Sequence, residues 1–247
     1  MDENKKQEFA KLIQKSKNIV FFGGAGVSTE SGMRDYRSED GLYNTVKQYN
    51  VSPETILSKS FFDARPDVFY DFYYHYFLDT AAEPNRAHFA LAELEKAGKL
   101  KAIVTQNIDG LHQRAGSENV IELHGTTLRH YCPRCLSEMS RDHIRSLGGG
   151  VPKCAKCGCV IRPDVVLYEE PLNDAVISAA IRAISSADLL IIGGTSLAVY
   201  PAANFIRYFT GENIVLINRD ATQYDDLATL VFRDSIGQIL QETVKCL

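Results

Sequence analysis

Four cysteines fall in two pairs with the spacing of a metal site. Cys132-Pro133-Arg134-Cys135 is followed, after residues 136–153, by Cys154-Ala155-Lys156-Cys157. Two C-x-x-C elements about fifteen to twenty residues apart are a zinc signature. Four thiolates enclose the ion tetrahedrally and leave no open position for water, so such a zinc supports structure rather than catalysis. Cys159 lies close enough to replace Cys157, and the fourth ligand stays open between them. Cys246 stands apart.

The other reactive groups cluster after apolar runs. Gly23-Gly24-Ala25-Gly26-Val27-Ser28-Thr29 follows the run 18–22. Glycines there let backbone N–H groups approach a pyrophosphate. The dinucleotide fingerprint is only partly met, because Thr29 takes the third glycine position and the usual acidic partner about 20 residues on is missing. An ordinary hydride-transfer dehydrogenase is disfavoured by the same departures. Thr105-Gln106-Asn107-Ile108-Asp109 offers amides and a carboxylate suited to a ribose or an amide, with an Asx-type turn as the plain alternative. Glu122-Leu123-His124-Gly125 puts a histidine, the natural general base near neutral pH, beside a residue that leaves space. A histidine in isolation is more often structural, but its place at a strand tip adjoining Gln106–Asp109 favours the base. Gly193-Gly194-Thr195-Ser196 and Asn218 offer further hydroxyls and an amide. In the run Phe69–Phe77, seven of nine residues are Phe or Tyr and none is Lys or Arg. That suits a helix packing rings into an apolar groove better than base stacking, which needs interleaved cations.

The elements that position these groups alternate. Short β-branched and aromatic runs at 18–22, 100–105, 119–123, 165–168, 189–192 and 213–218 read as strands. Between them lie helical patterns: Phe9, Leu12 and Ile13 at the start, a helix capped by Asn173, a helix over 201–210 closed by Gly211, and a last helix over 235–245. Alternation of this kind predicts an α/β fold with a mostly parallel sheet. Residues 31–83, where Ser52-Pro53 starts a helix, and residues 128–160 break the rhythm. They are expected to form a smaller module, helical plus zinc-binding. The remaining segments, 1–30, 84–127 and 161–247, are expected to form the Rossmann-type domain.

The composition excludes several classes. The chain has 247 residues, 45% hydrophobic and 23% charged, and a net charge of −4. That argues against a large nucleic-acid or anionic-membrane footprint. No apolar run reaches the roughly 18 residues of a membrane span. The opening Met1-Asp2-Glu3-Asn4-Lys5-Lys6 has no apolar core of a secretory signal. Paired C-x-x-C elements in such a chain read as a metal site in a reducing cytoplasm. Oligomeric state is not legible.

In their order along the chain, the 24–37 loop, Gln106-Asn107-Ile108-Asp109, His124-Gly125, the four cysteines, Val165-Val166, Gly194-Thr195-Ser196 and Ile217-Asn218 resemble the sirtuins, NAD-dependent protein-lysine deacylases. The resemblance covers about residues 10–245. It implies a Rossmann-type domain beside a zinc-bearing small domain, with NAD and an acyl-lysine protein or peptide entering the cleft between them. Position by position, it implies NAD contacts at Ala25, Gly26, Thr29, Tyr36 and Arg37. A nicotinamide and ribose pocket falls on Gln106, Asn107, Ile108 and Asp109, and adenosine-side contacts on Gly194, Thr195, Ser196, Asn218 and Ile236. His124 is the implied catalytic base, and Val165 and Val166 the strand on which substrate pairs. The implied reaction passes the acyl group to ADP-ribose and releases nicotinamide and free lysine.

Four positions depart from the family pattern. Arg34 replaces a proline, Tyr36 and Tyr168 replace phenylalanines, and Glu169 replaces a glycine beside the peptide strand. Sirtuins that remove succinyl groups carry Tyr-x-x-Arg on the helix lining the acyl pocket. Here the pair falls on Tyr73 and Tyr76, so neutral acyl groups are expected to be preferred. Two alternatives stay open: a protein mono-ADP-ribosyltransferase using the same NAD chemistry, and a catalytically silent zinc-ribbon binding module with no use for His124 and no NAD affinity.

Overall fold

The computed structural model describes residues 3–33, 49–78, 81–198 and 201–245. Arg34, Tyr36, Arg37 and Cys246 lie outside the described residues. In chain order the helices and strands are α1 (Glu3–Lys15), β1 (Ile19–Gly23), α2 (Pro53–Ile56), α3 (Lys59–Ala64), α4 (Pro66–Tyr73), α5 (Arg86–Lys96), β2 (Leu100–Thr105), α6 (Leu111–Arg114), β3 (Val120–Glu122), β4 (Gly125–Tyr131), β5 (Glu138–Ser140), α7 (Arg141–Ser146), β6 (Arg162–Val165), α8 (Asp174–Ser186), β7 (Leu189–Gly193), β8 (Asn213–Ile217), β9 (Leu230–Phe232) and α9 (Ile236–Val244).

The main sheet runs β3-β2-β1-β7-β8-β9 with every pairing parallel. All five residues of β1 and of β7 are buried, as expected when helices cover both faces of a parallel sheet. Side chains alternate between those faces. Ile19 and Phe21 of β1 pack with Phe9 and Ile13 of α1, Leu91 of α5 and Leu240 of α9. Val20 and Phe22 pack on the opposite face with Ile184 of α8 and Phe205. A third core joins α2–α4 to Cys132, Ile144, Cys154, Ile161 and Leu167. Beside it, β4 pairs antiparallel with β5 and with β6. Among the described residues no helix is long and apolar enough to cross a membrane.

Local signals placed the caps. Asn173 accepts hydrogen bonds from the Ala175 and Val176 N–H groups, and Ser52, ahead of Pro53, accepts from Thr55. Other expectations need correction. The strand expected at 165–168 lies at Arg162–Val165 and joins the antiparallel sheet. The helix expected over 201–210 is a 3-10 turn over Ala202–Tyr208. β9 has only three residues, too few to show a period in the sequence.

Buried histidines give the fold a pH dependence. His88 on α5 and His112 on α6 pack with ring centroids 4.8 Å apart, and His130 is buried on β4. Burial, the largest cause, pushes them down to about 4 for His88, about 3 for His112 and about 4 for His130. In the unfolded chain they take protons near the ordinary value of about 6.5. Stability from burying them neutral is therefore complete above that value and is lost as pH falls toward 4 and 3. Thermal melting is expected to be flat above neutrality and to drop steadily below about pH 6.5. A His112→Asn variant should show a shallower acid slope.

Candidate active site

Strand order runs outward in both directions from the β1–β7 pair. Ligands of open α/β sheets sit at such a reversal, outside the carboxyl ends of the strands. A cavity of about 1090 Å³ lies there. Two glycine loops meet on its wall: the Gly26 N–H donates to the Gly194 carbonyl at 2.8 Å. A Cβ on Gly26 would come within 2.8 Å of Gly194 backbone, and one on Gly194, at φ +59, within 2.4 Å of the Val27 nitrogen. Glycine at both positions is what lets the loops touch.

The polar groups after β1, β2, β7 and β8 are held by hydrogen bonds around the cavity. The Ser28 hydroxyl donates to Asp109 Oδ2 at 2.7 Å, and Asn107 Nδ2 donates to Ser28 Oγ at 3.0 Å. Asp109 Oδ1 accepts from the Leu111 N–H at 2.9 Å. Gln106 Nε2 donates to Thr195 Oγ1 at 3.1 Å, and the Thr29 hydroxyl donates to the Gly26 carbonyl at 3.0 Å. Asn218 Nδ2 donates to the Asp220 carbonyl at 2.9 Å. Amides, a carboxylate and hydroxyls held this way match the donors and acceptors of a ribose and a carboxamide. Ala25, Ile108, Ser196 and Ile236 also line the cavity.

His124, between β3 and β4, also faces the cavity. Its Nδ1 is 2.9 Å from the Gln106 carbonyl. A carbonyl only accepts, so in the neutral ring Nδ1 carries the hydrogen and Nε2 keeps its lone pair. Burial pushes the ring's pKa down, opposed by the bond to Gln106. Gly125 follows at φ +75, and a Cβ there would lie 2.1 Å from the Asp164 carbonyl oxygen. That close approach seats β6 beside the histidine, and the Val166 N–H donates to the His124 carbonyl at 2.9 Å. Val165 and Val166 line the cavity on this side.

Tyr73 lines the cavity too, but Tyr76 is not among its lining residues. After Tyr73, α4 widens into a π turn over Tyr74–Leu78. The face of Tyr73 is continued by Phe77, four residues on, and the two rings stack at 5.7 Å. Tyr76 packs against Phe72 and His75 instead. The reading of residues 73 and 76 as one face assumed unbroken α-helical geometry.

Three residues were missed. Ser28, 2% exposed, holds Asp109; only its place in the glycine loop could have marked it. Glu30 accepts from the Ser235 hydroxyl at 2.7 Å and ties that loop to the start of α9. Arg141 lines the cavity, and its Nη2 donates to the Phe77 and Leu78 carbonyls at 2.8 and 3.1 Å. It sits in the cysteine segment, and nothing in its local sequence points to α4.

The sulfur atoms of Cys132, Cys135, Cys154 and Cys157 lie within 4.8 Å of one another. The Cys132–Cys157 and Cys135–Cys154 pairs are 3.4 and 3.5 Å apart. A tetrahedron with Zn–S bonds of about 2.3 Å has edges of about 3.8 Å, so the set fits one zinc ion. Cys157 supplies the fourth sulfur of this set, while the Cys159 carbonyl accepts from the Cys154 N–H at 2.8 Å.

By class, this is a Rossmann-type α/β protein with a four-cysteine module, its cavity set where the strand order reverses. The family model described as Sir2 family matches residues 24–201, and the chain belongs to that family. It is 56% identical over 243 residues to an NAD-dependent protein deacetylase of Clostridium perfringens, covering 98% of this chain and 99% of the relative. It is 52% identical over 241 residues to one of Clostridium acetobutylicum, covering 98% of each. Among solved structures, a complex described as Sir2 with a p53 peptide and NAD+ superposes with a TM-score of 0.85 at 37% identity, covering 97% of each chain.

Proposed function

We propose that the chain is an NAD-dependent protein-lysine deacetylase that passes the acyl group to ADP-ribose, releases nicotinamide and prefers neutral acyl groups over succinyl. The observation that carries this reading is His124, with Nδ1 on the Gln106 carbonyl and Nε2 free to take a proton inside the cavity. NAD, when bound, supplies both the leaving group and the ribose that accepts the acyl group. Ala25, Gly26 and Thr29 would hold it from the loop after β1, and Gly194, Thr195, Ser196, Asn218 and Ile236 from the far side, with Tyr36 and Arg37 as the further contacts that the family resemblance implies. Gln106, Asn107, Ile108 and Asp109 orient the nicotinamide end, with Ser28 fixing the Asp109 carboxylate. His124 takes a proton from a ribose hydroxyl at Nε2. An acyl-lysine peptide adds as a strand along Val165 and Val166, and Tyr73 forms part of the acyl wall. The two-domain division expected from sequence, 1–30, 84–127 and 161–247 beside 31–83 and 128–160, and a cytoplasmic location belong to the same reading.

The acyl preference rests on the far wall. Phe69, Tyr73 and Phe77 form a slipped stack with ring centroids 5.7 Å apart at each step. Two of the five N–H groups of the Arg141 guanidinium, those on Nη2, are taken by the carbonyls that end the π turn. A buried carboxylate needs a well-placed cation to offset its desolvation. On matched peptides with NAD, acetyl- and butyryl-lysine are expected to exceed succinyl-lysine in kcat/KM by about tenfold or more, one good charge-assisted bond being worth about 1.5–3 kcal/mol. Mass spectrometry of the products reads the reaction itself. O-acyl-ADP-ribose supports the reading, label from adenine on protein supports ADP-ribosyl transfer instead, and full turnover without NAD refutes both.

A further inference from the structure

We infer that Glu169 is a positioning residue for the peptide substrate, its carboxylate locking the Val165–Val166 segment onto α3. The inference rests on the proposed docking of substrate along that segment. Glu169 sits at φ +77, the left-handed region that a long side chain rarely occupies. A residue keeps such a conformation only where its surroundings over-determine it. Here both carboxylate oxygens are engaged by one residue. Oε2 accepts from the Ser60 N–H at 2.9 Å, and Oε1 accepts from the Ser60 hydroxyl at 2.8 Å.

That contact closes a chain of links across the peptide side of the cavity. Val166 is bonded to the His124 carbonyl on one flank. On the other flank the Tyr168 N–H donates to the Leu57 carbonyl, and the Lys59 N–H donates to the Tyr168 carbonyl, both at 3.0 Å. The adjacent Glu170 turns the opposite way and takes Arg162 bidentately at 2.7 and 2.8 Å. Successive carboxylates thus clamp the turn after Val166 from two sides, one to β6 and one to α3. A strand that receives a peptide by main-chain pairing binds better when its own backbone is already fixed, because less order is lost on binding. Glycine can take the same φ without strain. The family's glycine would keep the turn but not the link to Ser60.

The test is steady-state kinetics on Glu169→Gly, Glu169→Gln and Ser60→Ala with an acetyl-lysine peptide. Glu169→Gly is expected to melt at the parental temperature or above and to raise peptide KM by about 3–10-fold. Its kcat and its KM for NAD should stay within about twofold. Glu169→Gln keeps one acceptor for the Ser60 N–H and should recover much of the peptide KM. Ser60→Ala should raise peptide KM in the parent but add nothing in the Glu169→Gly background. Val166→Asp serves as the reference. If it raises peptide KM and Glu169→Gly does not, the positioning role is wrong and the peptide site stands. If Val166→Asp leaves peptide KM unchanged, both are wrong. A Glu169→Gly variant that melts earlier and loses NAD and peptide affinity together would make the residue merely structural and overturn the inference.

Discussion

Replacing His124 with alanine is expected to cut deacylation by about 10²–10⁴-fold, the usual loss when a general base is removed. NAD binding should survive, because the glycine loops and the Ser28–Asp109–Asn107 network do not depend on the imidazole. Exchange of labelled nicotinamide into NAD should persist too, since it needs no proton removal by this group. The parent's acid limb carries the same information. Burial lowers the His124 pKa, so the base form survives to lower pH than for an exposed histidine. The midpoint of that limb in kcat/KM should therefore fall below the ordinary value of about 6.5. Near-parental turnover by His124→Ala would assign the histidine another task.

Removing the metal is expected to have the second large effect, and on one side of the cavity only. Metal analysis should find one zinc per chain. Zinc binding contributes about 10–16 kcal/mol to folding in small zinc peptides, so chelation or Cys154→Ala should unfold or loosen the third core, where Cys132 and Cys154 are buried with α4. Tyrosine hydroxyls carry the effect to the cavity. Tyr70 donates to the Ile161 carbonyl, Tyr74 donates to the Ile144 carbonyl at 2.9 Å, and Tyr73 lies 3.1 Å from His130 Nε2. Losing these anchors frees the ring wall of Phe69, Tyr73 and Phe77. Peptide KM should rise while NAD binding, measured by calorimetry, changes far less. A Cys154→Ala protein as stable as the parent would contradict the metal's structural role.

What was legible in the sequence was whatever depends on near neighbours. The Asn173 cap, the glycine stop after β1 and the C-x-x-C pairs each fit within a few residues, and each has a local physical cause. What was not legible depends on distant partners. The sequence at 165–168 reads as one more buried strand, and its neighbour β6 pairs with β4 through distant contacts, among them the approach of the Asp164 carbonyl to Gly125. The π turn after Tyr73 leaves no periodic trace, so the packing of Tyr76 against Phe72 and His75 is not visible in the sequence. Ser28 is one hydroxyl among several until Asp109 arrives beside it. The choice between Cys157 and Cys159 likewise needed three other sulfurs in place.

The links that build the site span long stretches of chain, and that has a consequence for when activity can arise. Ser28 and Asp109 are 81 residues apart, Gln106 and Thr195 are 89 apart. The central neighbour of β1 is β7, Phe21 pairing with Ile191. Closing loops of this size costs entropy before any contact rewards it, and folds rich in such pairings fold slowly. During synthesis β1 waits with one flank unpaired until β7 has been made. A chain that stops short of Thr195 lacks the hydroxyl that accepts from Gln106 Nε2. Ligand competence should therefore appear late and in a single step, rather than growing with the length of the emerging chain.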